Sequence, residues 1–295
     1  MNPIFILICM LKLVTATTIS YNGITEPDSL IYAQVLTQQY SYALDRVNQR
    51  KLPLDKKYYN GKLSGEGIDV YVIDTGMSEN IFYNFTCGYN FIGGNPFDCS
   101  SKNAHATHVG SLIKSKLFGV AHNANVINLK VLKDNGSGRI STVIEALDYL
   151  LDNNISCSII NMSIGSNKSK ILNMKVNEVV DAGNRVVVSA GNSNEDSCDY
   201  SPASAERAIT VGSITIDDEL SSFTNTGRCV NIYAPGTKVL GAIGGYNSAF
   251  LSGTSMSTPL VSGILALQME KKGCSARLKG CRRNKSRLKI AFTGR

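Results

Sequence analysis

The 295-residue chain contains three histidines, His105, His108 and His122, so chemistry that needs an imidazole base near neutral pH must use one of them. No histidine follows residue 122 and no G-x-S-x-G segment is present, which excludes an α/β-hydrolase with its Ser, acid, His order. A papain-type thiol site and an H-E-x-x-H zinc site also fail to match. A trypsin-like order keeps His before Ser, but on an all-β framework. The surviving order is Asp, then His, then Ser. Asp74 lies in Val72-Ile73-Asp74-Thr75-Gly76, His105 in Asn103-Ala104-His105-Ala106-Thr107-His108-Val109, and Ser255 in Gly253-Thr254-Ser255-Met256-Ser257-Thr258-Pro259. In such a set the imidazole takes the serine proton, while the carboxylate fixes the tautomer and stabilises the imidazolium.

Each residue also has a plainer reading. Asp74 before Thr-Gly suits an Asx turn, Ser255 suits a helix N-cap, and Asn192-Ser193-Asn194 suits a polar loop. Together and in order, the three support catalysis. His108, three residues after His105, could pair with it on a metal, but no cysteine or acid cluster completes a ligand set. It reads as a packed helical residue, and His122 as a surface loop residue.

The elements that must position these groups are legible as apolar runs. Residues 69–74, 126–131, 158–164, 186–190 and 208–214 are β-rich and nearly continuously apolar, which suits strands buried on both faces. Between them, Ile140, Val143, Ile144, Leu147, Leu150 and Leu151 follow a helical period, as do Leu172, Val176, Val179 and Val180. Alternating strands and helices predict an α/β fold of three layers, with a mostly parallel central sheet flanked by helices. Active sites of such folds gather at the carboxyl ends of the strands.

Composition fits a folded protein with a sizeable core, at 43% hydrophobic and 18% charged residues. The net charge of +7 is local: ten of the 30 Lys and Arg fall in residues 271–295 with no acid, leaving twenty against 23 Asp and Glu elsewhere. The body is not built as a nucleic-acid groove, and polyanion contact would belong to the basic tail. At the other end, the apolar run from Pro3 to Val14, followed by Thr15 and Ala16, reads as a secretory signal peptide over residues 1–16. Residues 17–39 then form a short prosegment or N-terminal extension, 40–270 the main folded domain, and 271–295 a solvated basic tail.

The three segments around Asp74, His105 and Ser255 closely resemble the subtilisin-like serine proteases, particularly the proteinase K branch. The resemblance runs from about Tyr42 to Met269. It includes the segment from Leu44 to Asp55, Asn135-Gly136-Ser137-Gly138, Asn161-Met162-Ser163-Ile164-Gly165, Ala190-Gly191-Asn192 and Tyr200-Ser201-Pro202-Ala203-Ser204. It implies a secreted, monomeric endopeptidase acting on proteins or peptides. Asp74, His105 and Ser255 would be catalytic, and Asn192 with the Ser255 backbone N–H would form the oxyanion hole. Gly136, Ser137, Gly138 and Ile140 would hold one side of an extended substrate, and Ser163, Ile164 and Gly165 the other. Gly165, Ala190 and Gly191 would line an uncharged S1 pocket and Ile140 an apolar S4, giving preference for apolar or aromatic P1 residues.

Against the family pattern, Ala106, Gly110, Ser111 and Ser257 are small departures. Asn231 stands where proteinase K relatives use an Asp carboxylate on calcium. A neutral amide attracts a hard cation less, so no cofactor is required and structural calcium is left open. The resemblance also pairs Cys198 with Cys229 and points to Cys87 as partner of Cys99. It leaves Cys157 free, and proximity alone would pair Cys274 with Cys281.

Overall fold

The computed structural model describes residues 18–21, 24–27, 41–59, 61–278, 280–282 and 288–293; the expected signal peptide lies outside them. The chain divides into two units at Gln39 and Tyr40. In the first, strands β1 (Thr18–Tyr21) and β2 (Ile24–Pro27) pair antiparallel.

The second unit opens with helix α1 (Tyr42–Asn48). Strands β3 (Asp69–Asp74), β4 (Thr86–Asn90) and β5 (Asn125–Lys130) follow, with helix α2 (His105–Lys114) before β5. Helix α3 (Ile140–Asp152) leads to β6 (Ile159–Met162), a short β7 (Ser166–Asn167), helix α4 (Lys170–Asp181) and β8 (Arg185–Ser189). After β9 (Tyr200–Ser201) come β10 (Ile209–Ile214), β11 (Ile232–Pro235) and the hairpin of β12 (Val239–Gly244) with β13 (Asn247–Leu251). Helix α5 (Thr254–Lys272) precedes β14 (Gly280–Arg282) and β15 (Lys289–Ala291).

Nine strands form the central sheet in the order β14-β15-β11-β10-β8-β6-β3-β5-β4. All its pairings are parallel except β14 with β15. The continuous apolar runs have a simple cause, since alternate residues of a strand face opposite sides. Val70 and Val72 enter one core with α1, α2 and α5, whereas Tyr71 and Ile73 enter the other with α3 and α4. Helix α1 is fixed by a buried ion pair, with Arg46 Nε 2.5 Å from Asp218 Oδ1.

Part of the segment expected to be a solvated tail is built into the fold. β15 joins the sheet beside β11, and Ile290, Ala291 and Phe292 are buried. The Thr293 N–H donates to the Val47 carbonyl at 2.9 Å.

The cysteines correct a second expectation. Cys87–Cys99 and Cys198–Cys229 pair as expected, but Cys157 is bonded to Cys274. Cys157 is therefore not free, and Cys274 is not paired with Cys281. The turn Gly273–Ser275 at the end of α5 lies against the entry to β6, with Cα atoms of the bridge 5.1 Å apart. Arg185 Nη2 donates to the Cys274 carbonyl at 2.6 Å in the same place.

Candidate active site

β5, β3, β6 and β8 are consecutive neighbours in the sheet. Their carboxyl ends deliver, in turn, the loop holding Gly136 to Gly138, then Asp74, then Ser163 to Gly165, then Ala190 to Asn192. The chain leaves β3 for β4 beyond β5, whereas it leaves β5 through α3 for β6 on the other side of β3, and such a reversal of direction opens a crevice at the carboxyl edge.

Asp74 is fully buried at the last position of β3. Its Oδ1 accepts from the Thr75 N–H at 2.6 Å and lies 2.8 Å from His105 Nδ1. The Thr75 hydroxyl oxygen accepts from the Ala106 N–H at 3.1 Å, so the strand end and the start of α2 are laced together. His105 opens α2, its backbone N–H held by Asn103 Oδ1 at 2.9 Å. Facing a carboxylate, Nδ1 carries the proton and Nε2 keeps a free lone pair, the tautomer a general base needs. Burial disfavours the imidazolium, but the charge and hydrogen bond of Asp74 outweigh it and raise the His105 pKa above 6.5.

Ser255 is the second residue of α5 and is half-buried. Its hydroxyl donates to the Ser163 carbonyl at 3.1 Å, while the Ser163 hydroxyl donates to the Ser255 carbonyl at 3.0 Å. A buried relay continues behind them: Asn161 Nδ2 donates to Ser163 Oγ at 3.1 Å, and Ser262 Oγ to Asn161 Oδ1 at 2.9 Å. The Ser255 hydroxyl proton is thus committed to the Ser163 carbonyl in this structure. Resting sites are often looser in this way than reacting ones.

Asn192 is held by Thr254, whose N–H and hydroxyl both donate to its Oδ1 at 2.9 Å. That fixes the carboxamide and leaves Nδ2 as an outward donor. Gly253, the N-cap of α5, has φ 154° and ψ 159°, a region open essentially to glycine. A Cβ there would lie 3.4 Å from Asn192 Nδ2 and 3.7 Å from the Ser255 N. The two donors thus border one small space, kept clear by the missing side chain.

The remaining expected residues sit on the rims. Gly136 turns at φ +80° inside a tight loop closed by the Lys133 N–H to the Ser137 carbonyl, 2.9 Å. Ile140 starts α3 and is exposed; Ser163 is buried, Ile164 half-buried and Gly165 exposed. Ala190 is buried, and Gly191 at φ +104° backs onto Asn225.

His108 is fully buried, as expected of a packed residue. Its Nε2 reaches the Val239 and Ala249 carbonyls, each at 3.1 Å. Burial first, opposed by the Ala249 carbonyl, pushes its pKa down to about 4. Two of the family departures, Ser111 and Ser257, are satisfied by buried hydrogen bonds. Ser257 Oγ donates to the Ala234 carbonyl at 2.9 Å, and Ser111 Oγ accepts from the Ala242 N–H at 2.9 Å. At the position considered for calcium, Asn231 Oδ1 is taken by the Thr210 N–H at 2.7 Å. Among the described residues no group of three or more His, Cys, Asp or Glu is placed to hold a metal. Ser163, Asn161 and Ser262 act through their side chains in ways the motifs did not indicate. Pro259 was the one available signal, because a proline inside a helix frees the carbonyl four residues earlier.

Comparison with known proteins places these features in context. A family model described as the subtilase family matches residues 65–277. An alkaline serine exoprotease A of Vibrio alginolyticus is 40% identical over 85% of this chain and 47% of its own length. An extracellular serine proteinase of Thermus sp. strain Rt41A is 40% identical over 83% of this chain and 60% of its own length. The chain therefore spans about half to three-fifths of these relatives. A solved cold-adapted subtilisin-like serine proteinase superposes with a TM-score of 0.80 at 35% identity, over 87% of this chain and 99% of that one.

Proposed function

The chain belongs to the subtilase family, and from that premise we propose that it is a secreted serine endopeptidase working through Asp74, His105 and Ser255. The observation that carries the reading is the 2.8 Å contact of buried Asp74 with His105 Nδ1, beside the space shared by Asn192 Nδ2 and the Ser255 N. Ser255 Oγ attacks the scissile carbonyl as His105 Nε2 takes its proton, and Asp74 stabilises the imidazolium. The tetrahedral oxygen is bound by the Ser255 N–H and Asn192 Nδ2. His105 then gives the proton to the leaving amine, and water resolves the acyl-enzyme by the same steps in reverse.

Substrate would lie extended between the loop of Gly136, Ser137 and Gly138 and the segment of Ser163, Ile164 and Gly165, held mainly by its backbone. With Gly165, Ala190 and Gly191 around S1 and Ile140 at S4, no charge is offered to P1, which favours apolar or aromatic residues. Secretion is supported by the apolar run at residues 3–14.

A second reading, a weakly active or inactive subtilase-like protein that binds peptides or forms part of an extracellular surface, is favoured by the Ser255 hydroxyl resting on Ser163. A fluorophosphonate probe separates them. Labelling of the wild type but not of Ser255→Ala supports the enzyme; a folded wild type that takes no label overturns it.

A further inference from the structure

Asn225 lies in the connection between β10 and β11 and is fully buried. It grips the loop after β8 from behind. Its backbone N–H donates to the Gly191 carbonyl at 3.0 Å. Its Oδ1 accepts from the Ser193 N–H at 2.9 Å and the Glu195 N–H at 3.1 Å. Gly191 approaches so closely that a Cβ would lie 2.3 Å from Asn225 Nδ2. Neighbouring bonds extend the lacing: the Asn194 N–H donates to the Phe223 carbonyl, and the Thr226 N–H to the Glu195 carbonyl, both at 2.9 Å.

Asn192 sits between the two residues that Asn225 holds, Gly191 and Ser193. Thr254 sets the roll of the Asn192 carboxamide, and Asn225 sets the backbone from which it projects. Asn225 Nδ2, meanwhile, is a buried donor without a partner. Burying an unmatched donor costs stability, so the net use of this side chain is its oxygen. We propose that Asn225 is a positioning residue of the oxyanion hole, acting through Asn192 without touching substrate. The inference rests on Asn192 being an oxyanion donor. A donor must sit within a few tenths of an ångström of the developing charge to be effective, so loosening its support should lower turnover while leaving substrate affinity nearly intact.

The test is a double-mutant cycle in the full chain, with Asn192→Ala, Asn225→Ala and the pair, read on an apolar-P1 peptide and by the affinity of a peptide aldehyde inhibitor. Asn192→Ala should lower kcat by roughly 10²- to 10³-fold. Asn225→Ala should lower kcat about 10- to 100-fold with KM within about threefold, and weaken the aldehyde in parallel, as expected when oxyanion stabilisation is only partly lost. In the Asn192→Ala background the same change should cost less than about threefold, since residues acting as one unit are not additive. Should Asn225→Ala fail to fold, Asn225→Ser, which keeps a side-chain oxygen, must show the same pattern at smaller amplitude. Equal losses in both backgrounds, or an unchanged kcat, would overturn the proposal. An Asn192→Ala enzyme with near-normal kcat would instead remove the premise, and is seen separately from either result.

Discussion

Pro259 frees the carbonyl of Ser255. In α5 the residue-259 N–H would close onto residue 255, but proline has none, and the Ser163 hydroxyl donates to that carbonyl at 3.0 Å instead. The helix that carries Ser255 is thereby tied, at its first turn, to the end of β6.

This coupling makes a prediction about repair. Ser163→Ala should cost about 1 kcal/mol or more, because it leaves the Ser255 carbonyl short of a partner. Adding Pro259→Ala supplies an N–H within the helix and should recover part of that loss. Urea unfolding of the two single variants and the double variant tests it, and strictly additive effects would refute the coupling.

Turnover should require neutral His105. Asp74 holds its pKa above 6.5, so the acid limb of kcat/KM on an apolar-P1 peptide is expected to rise with pH through a midpoint above that value. A rate that is flat from pH 5 to 8 would count against this base.

Asp74→Asn should leave the fold intact and lower kcat by about 10⁴-fold, through loss of the correct tautomer. Circular dichroism and kinetics on the same preparation check both halves. Near-normal turnover would remove Asp74 from the mechanism.

His108 predicts an acid-labile fold. Its folded pKa is about 4 and its ordinary value 6.5, so between them the unfolded chain binds the proton more readily. Stability present above pH 6.5 is lost as pH falls toward 4, by about 3 kcal/mol in all. In His108→Gln that part of the pH dependence should vanish from denaturant midpoints measured between pH 4 and 7.

The Cys157–Cys274 bridge joins residues 117 apart. A loop of that size is worth about 4 to 5 kcal/mol in the chain-entropy model. Non-reducing peptide mapping should recover this cross-link alongside Cys87–Cys99 and Cys198–Cys229, and the double serine variant of Cys157 and Cys274 should melt at lower temperature. Finding both thiols alkylated in the native protein would contradict the pairing.

The sequence was most legible where one physical effect dominates. The run at 69–74 matches β3 residue for residue, and the period from Ile140 to Leu151 matches α3 to within one residue, because burial on fixed faces writes itself into the pattern. The pairing of Asp74 with His105 that the residue order suggested is present as a 2.8 Å contact, because few residue types suit that chemistry and so their order stands out. β15 was not readable, since three buried residues beside Lys289 are too few to outweigh a basic composition. The partner of Cys157 depends on where α5 ends relative to β6, and Asn225 on the meeting of two loops. Neither leaves a local trace.

The order of the sheet also sets how the molecule must come into being. Val70 of β3 pairs with Val126 on one side and Ile159 on the other, and Asp74 meets its imidazole only after distant segments have docked. Such high contact order predicts slow folding, with Asp74, His105, Asn192 and Ser255 brought together only as the whole sheet closes. On the proposed reading, a nascent or half-folded copy would be chemically silent, and exposed neighbouring chains would be spared until the last long-range pairing is made.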